Sequence, residues 1–298
     1  MKQENQINTR ILPLLIDLTN KGFSPTSVKT YNAMLIILSK RADLDNPETV
    51  NKAIASLQTS STYKKNLTKA YAHYARYYEL EWNKPKYLND TKTIRVPTKE
   101  RLEMLIARGG RILSTKLQIS YQTGMRPVEV CNLRVKDIDF EKHLIYPAVF
   151  KHGQPRVLKF NEKLEATLRK HIQTYKLDPN DKLFKGNETR YGNNYREMRN
   201  ELAKKLNDPA LATVRLYDFR HYFATMLYEK TKDILYVKQQ MGHKKLDSTM
   251  VYTHLLDVNE EEYTVRTATS IKEATDLLEH GFTYIQDIDG IKLYRKRK

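Results

Sequence analysis

Residues 242–254 read GHKKLDSTMVYTH and place a tyrosine, Tyr252, in a basic and polar segment. His243 stands nine residues before this tyrosine, and Asp247 is expected to begin a short helix on which Tyr252 sits. A tyrosine of a hydrophobic core is expected among apolar neighbours and needs no lysines in front of it. The segment alone leaves open why Tyr252 stands there, and the rest of the chain has to decide.

The composition favours a polyanion as the partner of the chain. Its 298 residues include 52 lysines and arginines against 35 aspartates and glutamates, which gives a formal net charge of +17. Nucleic acid is the polyanion favoured by such an excess, because phosphates attract basic side chains whatever the base sequence, and an anionic membrane surface is the rival. The length suggests two domains, and 40% hydrophobic residues allow a core in each.

Several classes of protein are disfavoured by the sequence. It contains no run of about 18 apolar residues, no signal-peptide pattern and no lipidation motif, so we expect a soluble, cytoplasmic protein without a membrane partner. Cys131 is the one cysteine, so neither an intrachain disulfide nor a zinc site built from several cysteines is possible. We expect no metal and no other cofactor.

The first 82 residues have the pattern of a helical domain. Ser-Pro at residues 24–25 and Asn-Pro at residues 46–47 are typical of helix starts. A third helix follows, with apolar residues on one face and basic residues on the other. Its basic residues are Lys64, Lys65, Lys69 and Arg76. This face either contacts DNA phosphates or is simply solvated, and both interpretations stay open.

The remaining residues predict a basic linker, a mixed domain and a short tail. The linker is 83–97, the mixed domain is 98–265, and the tail of residues 266–298 has the pattern of an amphipathic helix followed by a β-hairpin. In the mixed domain, helices are interrupted by β-rich runs on either side of a turn at residues 151–155. The predicted fold class is mainly α with a small antiparallel β-sheet or hairpin, an α+β arrangement.

Metal chemistry has weak support in this sequence. The aspartate pairs near residues 137 and 287 have the setting of turns, and the spacings of His221, His243 and His254 match no common zinc signature. A metal-free site for phosphate chemistry needs fixed cations, a nucleophile and a proton donor. Arg126 and Arg220 are candidate cations, although each could instead be a structural ion-pair partner.

Four segments together resemble the motifs of the tyrosine recombinase, or phage integrase, family, and are similar to those of its Xer-like members. They are TGMRPVEVCNL at 123–133, FKHGQPR at 150–156, LYDFRHYFAT at 216–225 and MGHKKLDSTMVYTH at 241–254. Their order and separations also agree with the family. The resemblance covers residues 98–265 well and residues 1–82, as a core-binding domain, more loosely. The tail resembles those of archaeal integrases.

The resemblance implies a role for each residue that matches a motif. Tyr252 would be the nucleophile, and the scissile phosphate would be held by Arg126, Arg220 and His243. Glu129 would support the first arginine, and Lys151 at the hairpin tip would donate a proton to the leaving 5′ oxygen. One position departs from the pattern, because Tyr217 stands where the family has a histidine. Tyrosine is a poor base near neutrality, so the phosphate contact can persist while the identity of the base stays open.

The resemblance therefore implies a DNA strand-transferase that forms a covalent 3′-phosphotyrosyl intermediate. The expected partner is a double-stranded DNA recombination site, on which the protein forms a tetramer across two duplexes, and the free protein is either a monomer or an oligomer. Integration or excision of a mobile element is the expected role. The alternatives are a Xer-like chromosome-dimer resolvase, a type IB-like topoisomerase, a non-catalytic DNA-binding regulator and a metal-dependent nuclease.

Overall fold

The computed structural model describes residues 2–88, 94–150, 153–252, 263–288 and 290–297. Backbone contacts divide the chain into two compact units, Met1–Thr93 and Ile94–Lys298. Helices dominate both units, and the described strands form two small antiparallel sheets, so the predicted fold class is confirmed. In the described residues, no helix is both long enough and apolar enough to cross a membrane.

The described residues of the first unit form four helices. They are α1 Lys2–Asn20, α2 Pro25–Ser39, α3 Pro47–Ser56 and α4 Ser61–Tyr77. The predicted starts of α2 and α3 are confirmed, because the side chains of Ser24 and Asn46 accept hydrogen bonds from backbone N–H groups of the first turn. Tyr71 is fully buried in the core of the unit, where its hydroxyl donates to the carbonyl of Leu44 at 2.9 Å.

The second unit contains the remaining helices and both sheets. Its helices are α5 Lys99–Arg108, α6 Arg111–Thr123, α7 Pro127–Asn132, α8 Glu162–Tyr175, α9 Glu188–Leu206, α10 Leu216–Thr231, α11 Ile234–Met241, α12 Asp247–Met250 and α13 Ile271–Glu279. Its strands are β1 Ile138–Asp139, β2 Leu144–Ile145, β3 Leu158–Lys159, β4 Tyr263–Ala268, β5 Thr283–Ile288 and β6 Ile291–Arg297.

The predicted hairpin around residues 151–155 is present but has very short strands. β2 pairs with β3 through Ile145 and Leu158, and β1 completes a three-stranded sheet in the order β1-β2-β3. The second predicted hairpin pairs β5 with β6, and β4 joins β6 to give the order β4-β6-β5. Strand β4 is not expected from the sequence, and it spans the predicted boundary between residues 265 and 266.

Candidate active site

The first arginine of the site caps a helix and is held by a buried carboxylate. α6 ends at Gly124 in a left-handed conformation, with φ of 64°, and α7 begins directly after Arg126. Glu129 accepts from the backbone N–H of Arg126 at 2.8 Å and from its Nη1 at 2.9 Å. Because Glu129 is buried and sits in the first turn of α7, it fixes both the backbone and the guanidinium of Arg126.

A second guanidinium, which the sequence analysis does not assign, binds the same carboxylate. Arg156 follows the predicted hairpin turn and donates from Nη2 to Glu129 Oε2 at 2.6 Å and from Nη1 to Oε1 at 3.2 Å. Its side chain is 1% exposed. One feature of the sequence could have indicated this contact. Arg156 is the last residue of FKHGQPR and precedes an apolar strand, and an arginine that is buried beside such a strand needs an acidic partner.

Arg220 lies fully buried on α10. Its Nη1 donates to the carbonyl of Gly124 at 2.5 Å, and its Nη2 donates to the carbonyl of Met241 and lies 3.1 Å from His243 Nε2. Burial first, and then the charge of Arg126, lowers the pKa of this guanidinium to about 10. Of the two options open for Arg220, pairing with an acid or facing a site, the described contacts favour the second.

Asp218, the nearest acid along α10, binds another residue. It accepts from Arg215 at 3.1 Å, which leaves Arg220 bound to carbonyls and a histidine. Two guanidinium groups, those of Arg126 and Arg156, thus share the Glu129 carboxylate. Arg220 adds a third positive charge near them, and the excess positive charge suits an anion.

His243 connects Arg220 to α12. It follows Gly242, whose φ of 60° ends α11. Since a guanidinium only donates, Nε2 of His243 must accept from Arg220, and the ring proton lies on Nδ1, which donates to Thr249 Oγ1 at 3.0 Å. Burial first, and then Arg220 and Arg126, lowers the pKa of His243 to about 3, so the ring is neutral near pH 7. Thr249, six residues beyond His243, has no role in the sequence analysis.

Tyr252 is buried, and its hydroxyl lies 3.0 Å from His221 Nδ1. Burial is the largest cause that raises the pKa of this phenol, to about 12, and the charges of Arg220 and Arg126 partly oppose it. The prediction that Tyr252 sits on the helix begun by Asp247 is wrong in one detail. α12 begins at Asp247 but ends at Met250, and the tyrosine lies in the turn that follows.

The other predicted residues are placed differently. Tyr217 is 40% exposed, and its ring meets the His221 ring edge-on at a centroid distance of 5.1 Å. His221, which the sequence suggests only as a zinc ligand, is thus a partner of two tyrosines. Lys151 and His254 lie outside the described residues. Gly153 lies against the site, since an added Cβ there would be 3.5 Å from Arg126 Nη1.

The predicted basic face of α4 belongs to the first unit. Lys65 and Lys69 line a groove with a volume of about 440 Å³, together with Lys84 and Lys86 from the segment after α4. Lys64 instead donates to the carbonyl of Ala55 at 2.7 Å. Arg76 is exposed on α4. In the described part of the chain, no three His, Cys, Asp or Glu side chains are grouped so that they could hold a metal ion.

The hairpin segment is joined to the loop after α11 by a hydrogen bond and close packing at Gly242. The N–H of Gln154 donates to the Gly242 carbonyl at 3.2 Å. A Cβ on Gly242 would lie 2.9 Å from Arg156 Nη1 and 3.0 Å from the Gln154 carbonyl, and the backbone there already has a positive φ. Only glycine fits this position without displacing the hairpin or His243.

Replacing Gly242 with alanine is expected to lower the stability of the protein. The left-handed backbone alone costs about 1–2 kcal/mol with a Cβ, and the contact with the Gln154 carbonyl adds to it. Urea unfolding measures the decrease in stability. Gly192→Ala is the matched control, because Gly192 lies within α9 with open space around a Cβ, and alanine there is expected to stabilise by roughly 0.5–1 kcal/mol. Equal stability of the two variants would contradict the requirement for glycine at position 242.

The protein is expected to lose stability in mild acid because His221 and His243 are neutral in the folded state. Burial lowers the pKa of His221 to about 4 and that of His243 to about 3. The unfolded chain takes up protons on both below about pH 6.5, while the folded chain does not, so the free energy of unfolding falls as pH falls. The slope is on the order of 1 kcal/mol per pH unit for each histidine. Urea unfolding between about pH 7.5 and 5 should show a flatter slope for His243→Gln than for the wild type. Parallel slopes would refute the burial of a neutral His243.

Comparison with known proteins identifies the family of the chain. The family model described as "Phage integrase family" matches residues 91–258, which is more than half of the chain. The chain therefore belongs to the phage integrase family, and the resemblance seen in the four motifs is confirmed.

Individual relatives match about half of the chain. Tyrosine recombinase XerA of Saccharolobus solfataricus is 32% identical over 148 residues, which are 49% of this chain and 47% of the relative. XerA of Pyrococcus horikoshii is 29% identical over 142 residues, 46% of this chain and 48% of that protein. The chain thus spans about half the length of the curated relatives that it matches.

Solved structures share the fold. The Tn1549 transposon integrase in complex with transposon right end DNA has a TM-score of 0.63 and 16% identity, over 91% of this chain and 99% of that one. A lambda integrase tetramer bound to a Holliday junction has a TM-score of 0.61 and 11% identity, over 80% and 77% of the two chains.

Proposed function

We propose that the protein is a site-specific tyrosine recombinase that integrates or excises a mobile element. It cleaves and rejoins DNA strands through a covalent 3′-phosphotyrosyl intermediate. One observation carries the proposal: Arg220 contacts His243, and the next residue, His221, contacts the hydroxyl of Tyr252. Among the residues that the structure describes, no carboxylate binds the Arg220 guanidinium. A buried cation of this kind, close to a buried phenol, suits attack on a phosphodiester.

The positions of the described groups support the following steps. The Tyr252 oxygen forms a bond to the scissile phosphorus, and the bond from phosphorus to the 5′ oxygen breaks. Arg126 and Arg220 neutralise the charge of the pentavalent phosphorane. His243 Nε2 accepts from Arg220 and its Nδ1 donates to Thr249, so the imidazole would hold the Arg220 guanidinium in place for the phosphate. Lys151 remains the proposed donor to the 5′ oxygen. The phosphotyrosyl bond conserves the energy for rejoining, so no nucleotide is needed.

Double-stranded DNA is the proposed partner. The charge of +17 and the groove between Lys65, Lys69, Lys84 and Lys86 in the first unit support it. We also propose a tetramer on two duplexes, since the lambda integrase of similar fold is a tetramer on a Holliday junction. A cytoplasmic location remains a prediction.

DNA binding is expected to weaken steeply with salt, and the basic groove is expected to carry part of that dependence. Lys69 and Lys84 are exposed at its rim. Each phosphate that a lysine no longer neutralises should reduce the slope of log K against log salt by roughly 0.9, so the slope of Lys69→Ala/Lys84→Ala should be smaller by up to about 1.8. Fluorescence anisotropy on duplex DNA measures the slope. Lys99→Ala is the control, because Lys99 already pairs with Glu103. An unchanged slope in the double variant would assign DNA binding to another surface.

Covalent trapping tests the proposed function. A duplex carrying the end sequence of the element is nicked close to the cleavage site, so that the released fragment diffuses away and the protein stays attached. A denaturing gel should show a protein–DNA adduct in EDTA, and peptide mapping should find it at Tyr252. No adduct at any salt concentration that permits binding would favour a DNA-binding regulator, and cleavage that requires a metal would favour a nuclease.

A two-duplex assay separates the remaining alternatives. Joined products between two marked duplexes support a recombinase, whereas relaxation of a supercoiled plasmid without joined products supports a topoisomerase. The curated relatives named XerA keep the chromosome-dimer resolvase as the second candidate. Recombination at a chromosomal dimer-resolution site in preference to element ends would favour it.

A further inference from the structure

The hydroxyl of Tyr252 has an imidazole partner that lies within the motif at 216–225 but to which the motif assigns no role. His221 Nδ1 is 3.0 Å from the Tyr252 hydroxyl. The residue at the position where the family pattern has a histidine is Tyr217, which is 40% exposed and has a phenol in place of a basic nitrogen. The chain therefore lacks a base at the usual position and places one four residues further along α10, on the next turn of the same helix.

We propose that His221 is the general base that removes the proton of Tyr252 during DNA cleavage. The inference rests on the proposed function, since it requires Tyr252 to be the nucleophile. The phenolic oxygen forms its bond to phosphorus while its proton passes to His221 Nδ1, and the bond from phosphorus to the 5′ oxygen breaks. In rejoining, a 5′ hydroxyl attacks, the bond from phosphorus to Tyr252 breaks, and His221 returns the proton to the phenolic oxygen.

The surroundings of His221 keep it available as an acceptor. Burial, the largest cause, lowers the pKa of the imidazole and keeps it neutral near pH 7. The phenol is protonated near pH 7, so its O–H can donate to Nδ1 with the ring proton on Nε2. The charged and titratable groups that face the ring are Asp218, Arg215, Arg220 and Tyr217 from α10 and its start, and His243 and Tyr252 from the following loops.

The other candidate bases near the site are occupied. His243 Nε2 accepts from Arg220. Glu129 accepts from two arginines, and Asp218 accepts from the backbone and the guanidinium of Arg215. Among the described residues, His221 is thus the base with a direct contact to the phenolic oxygen.

Two variants separate a base from a structural contact. In His221→Asn, a side-chain amide stands near the place of Nδ1 and can still accept the phenolic hydrogen bond, but it cannot take the proton. In His221→Ala, both the hydrogen bond and the base are removed. Single-turnover formation of the adduct on the nicked duplex is measured for both, with DNA binding and urea unfolding as controls. General bases contribute roughly 100- to 10,000-fold, so we expect both variants to slow adduct formation by about 100-fold or more.

Two further measurements assign the impaired step to Tyr252. Added imidazole should partly restore the rate of His221→Ala. A substrate with sulfur in place of the bridging 5′ oxygen needs no proton donor for its leaving group, so it should rescue Lys151→Ala but leave His221→Asn slow. Wild-type rates in His221→Asn, or rescue of that variant by the sulfur substrate, would overturn the proposal and leave the function of Tyr252 intact. If the wild type itself forms no adduct, the proposed function fails instead.

Discussion

Tyr252→Phe is expected to form no covalent adduct with DNA, while it folds and binds DNA like the wild type. The substitution removes one oxygen, and that oxygen is the proposed nucleophile. The hydroxyl makes a hydrogen bond to His221 at 3.0 Å, so its removal should lower the free energy of unfolding by only about 0.5–1.5 kcal/mol. A denaturing gel of the nicked substrate measures the adduct, and anisotropy measures binding.

Tyr195→Phe is the matched control for this result. Tyr195 is also buried, and its hydroxyl donates to the Val214 carbonyl at 3.0 Å. The control thus loses a comparable buried hydrogen bond in the same unit but keeps the nucleophile. We expect it to form adduct at close to the wild-type rate. An adduct in Tyr252→Phe would move the nucleophile to another residue, and absence of adduct in both variants would point to a general effect on folding.

Much of the helical framework could be predicted, because local signals decide it. Ser24 and Asn46 cap helices through their own side chains, and Gly124 ends α6 with a positive φ. These features depend on residues within one turn of helix, so a single sequence contains them. The strand β4 could not be predicted in the same way, because it exists only by pairing with β6, nearly 30 residues away.

The functional site likewise has parts that the sequence predicts and parts that it does not. Motif residues such as Arg126 and His243 could be recognised, but their contacts depend on tertiary packing. Arg156 reaches Glu129 from 27 positions away, and His221 reaches Tyr252 from 31 positions away. Neither contact follows from the spacing of residues along the chain. The sequence suggests His221 only as a metal ligand, because the sequence alone does not show that Tyr252 lies beside it.

Arg220 is expected to be nearly as important for DNA cleavage as Tyr252, although it forms no covalent bond to DNA. Removing a preorganised donor of this kind costs roughly 100- to 1,000-fold in rate, or about 3–4 kcal/mol. Arg220→Ala should therefore lose about that much in single-turnover adduct formation, and its DNA affinity should change by only a few fold. Arg220→Lys should not rescue it, because one ammonium cannot span the Gly124 and Met241 carbonyls as the planar guanidinium does.

A buried arginine can also act through folding, so the test needs a separate readout of the site. Arg220 is the second largest cause, after burial, that lowers the pKa of His243. In Arg220→Ala this pKa should rise toward its ordinary value, which an NMR titration of the imidazole can follow. Arg196→Ala, an exposed arginine that bonds within α9, is the control and should change neither rate nor titration. Normal cleavage by Arg220→Ala, together with a raised His243 pKa, would show that Arg220 shapes the site without serving the phosphate.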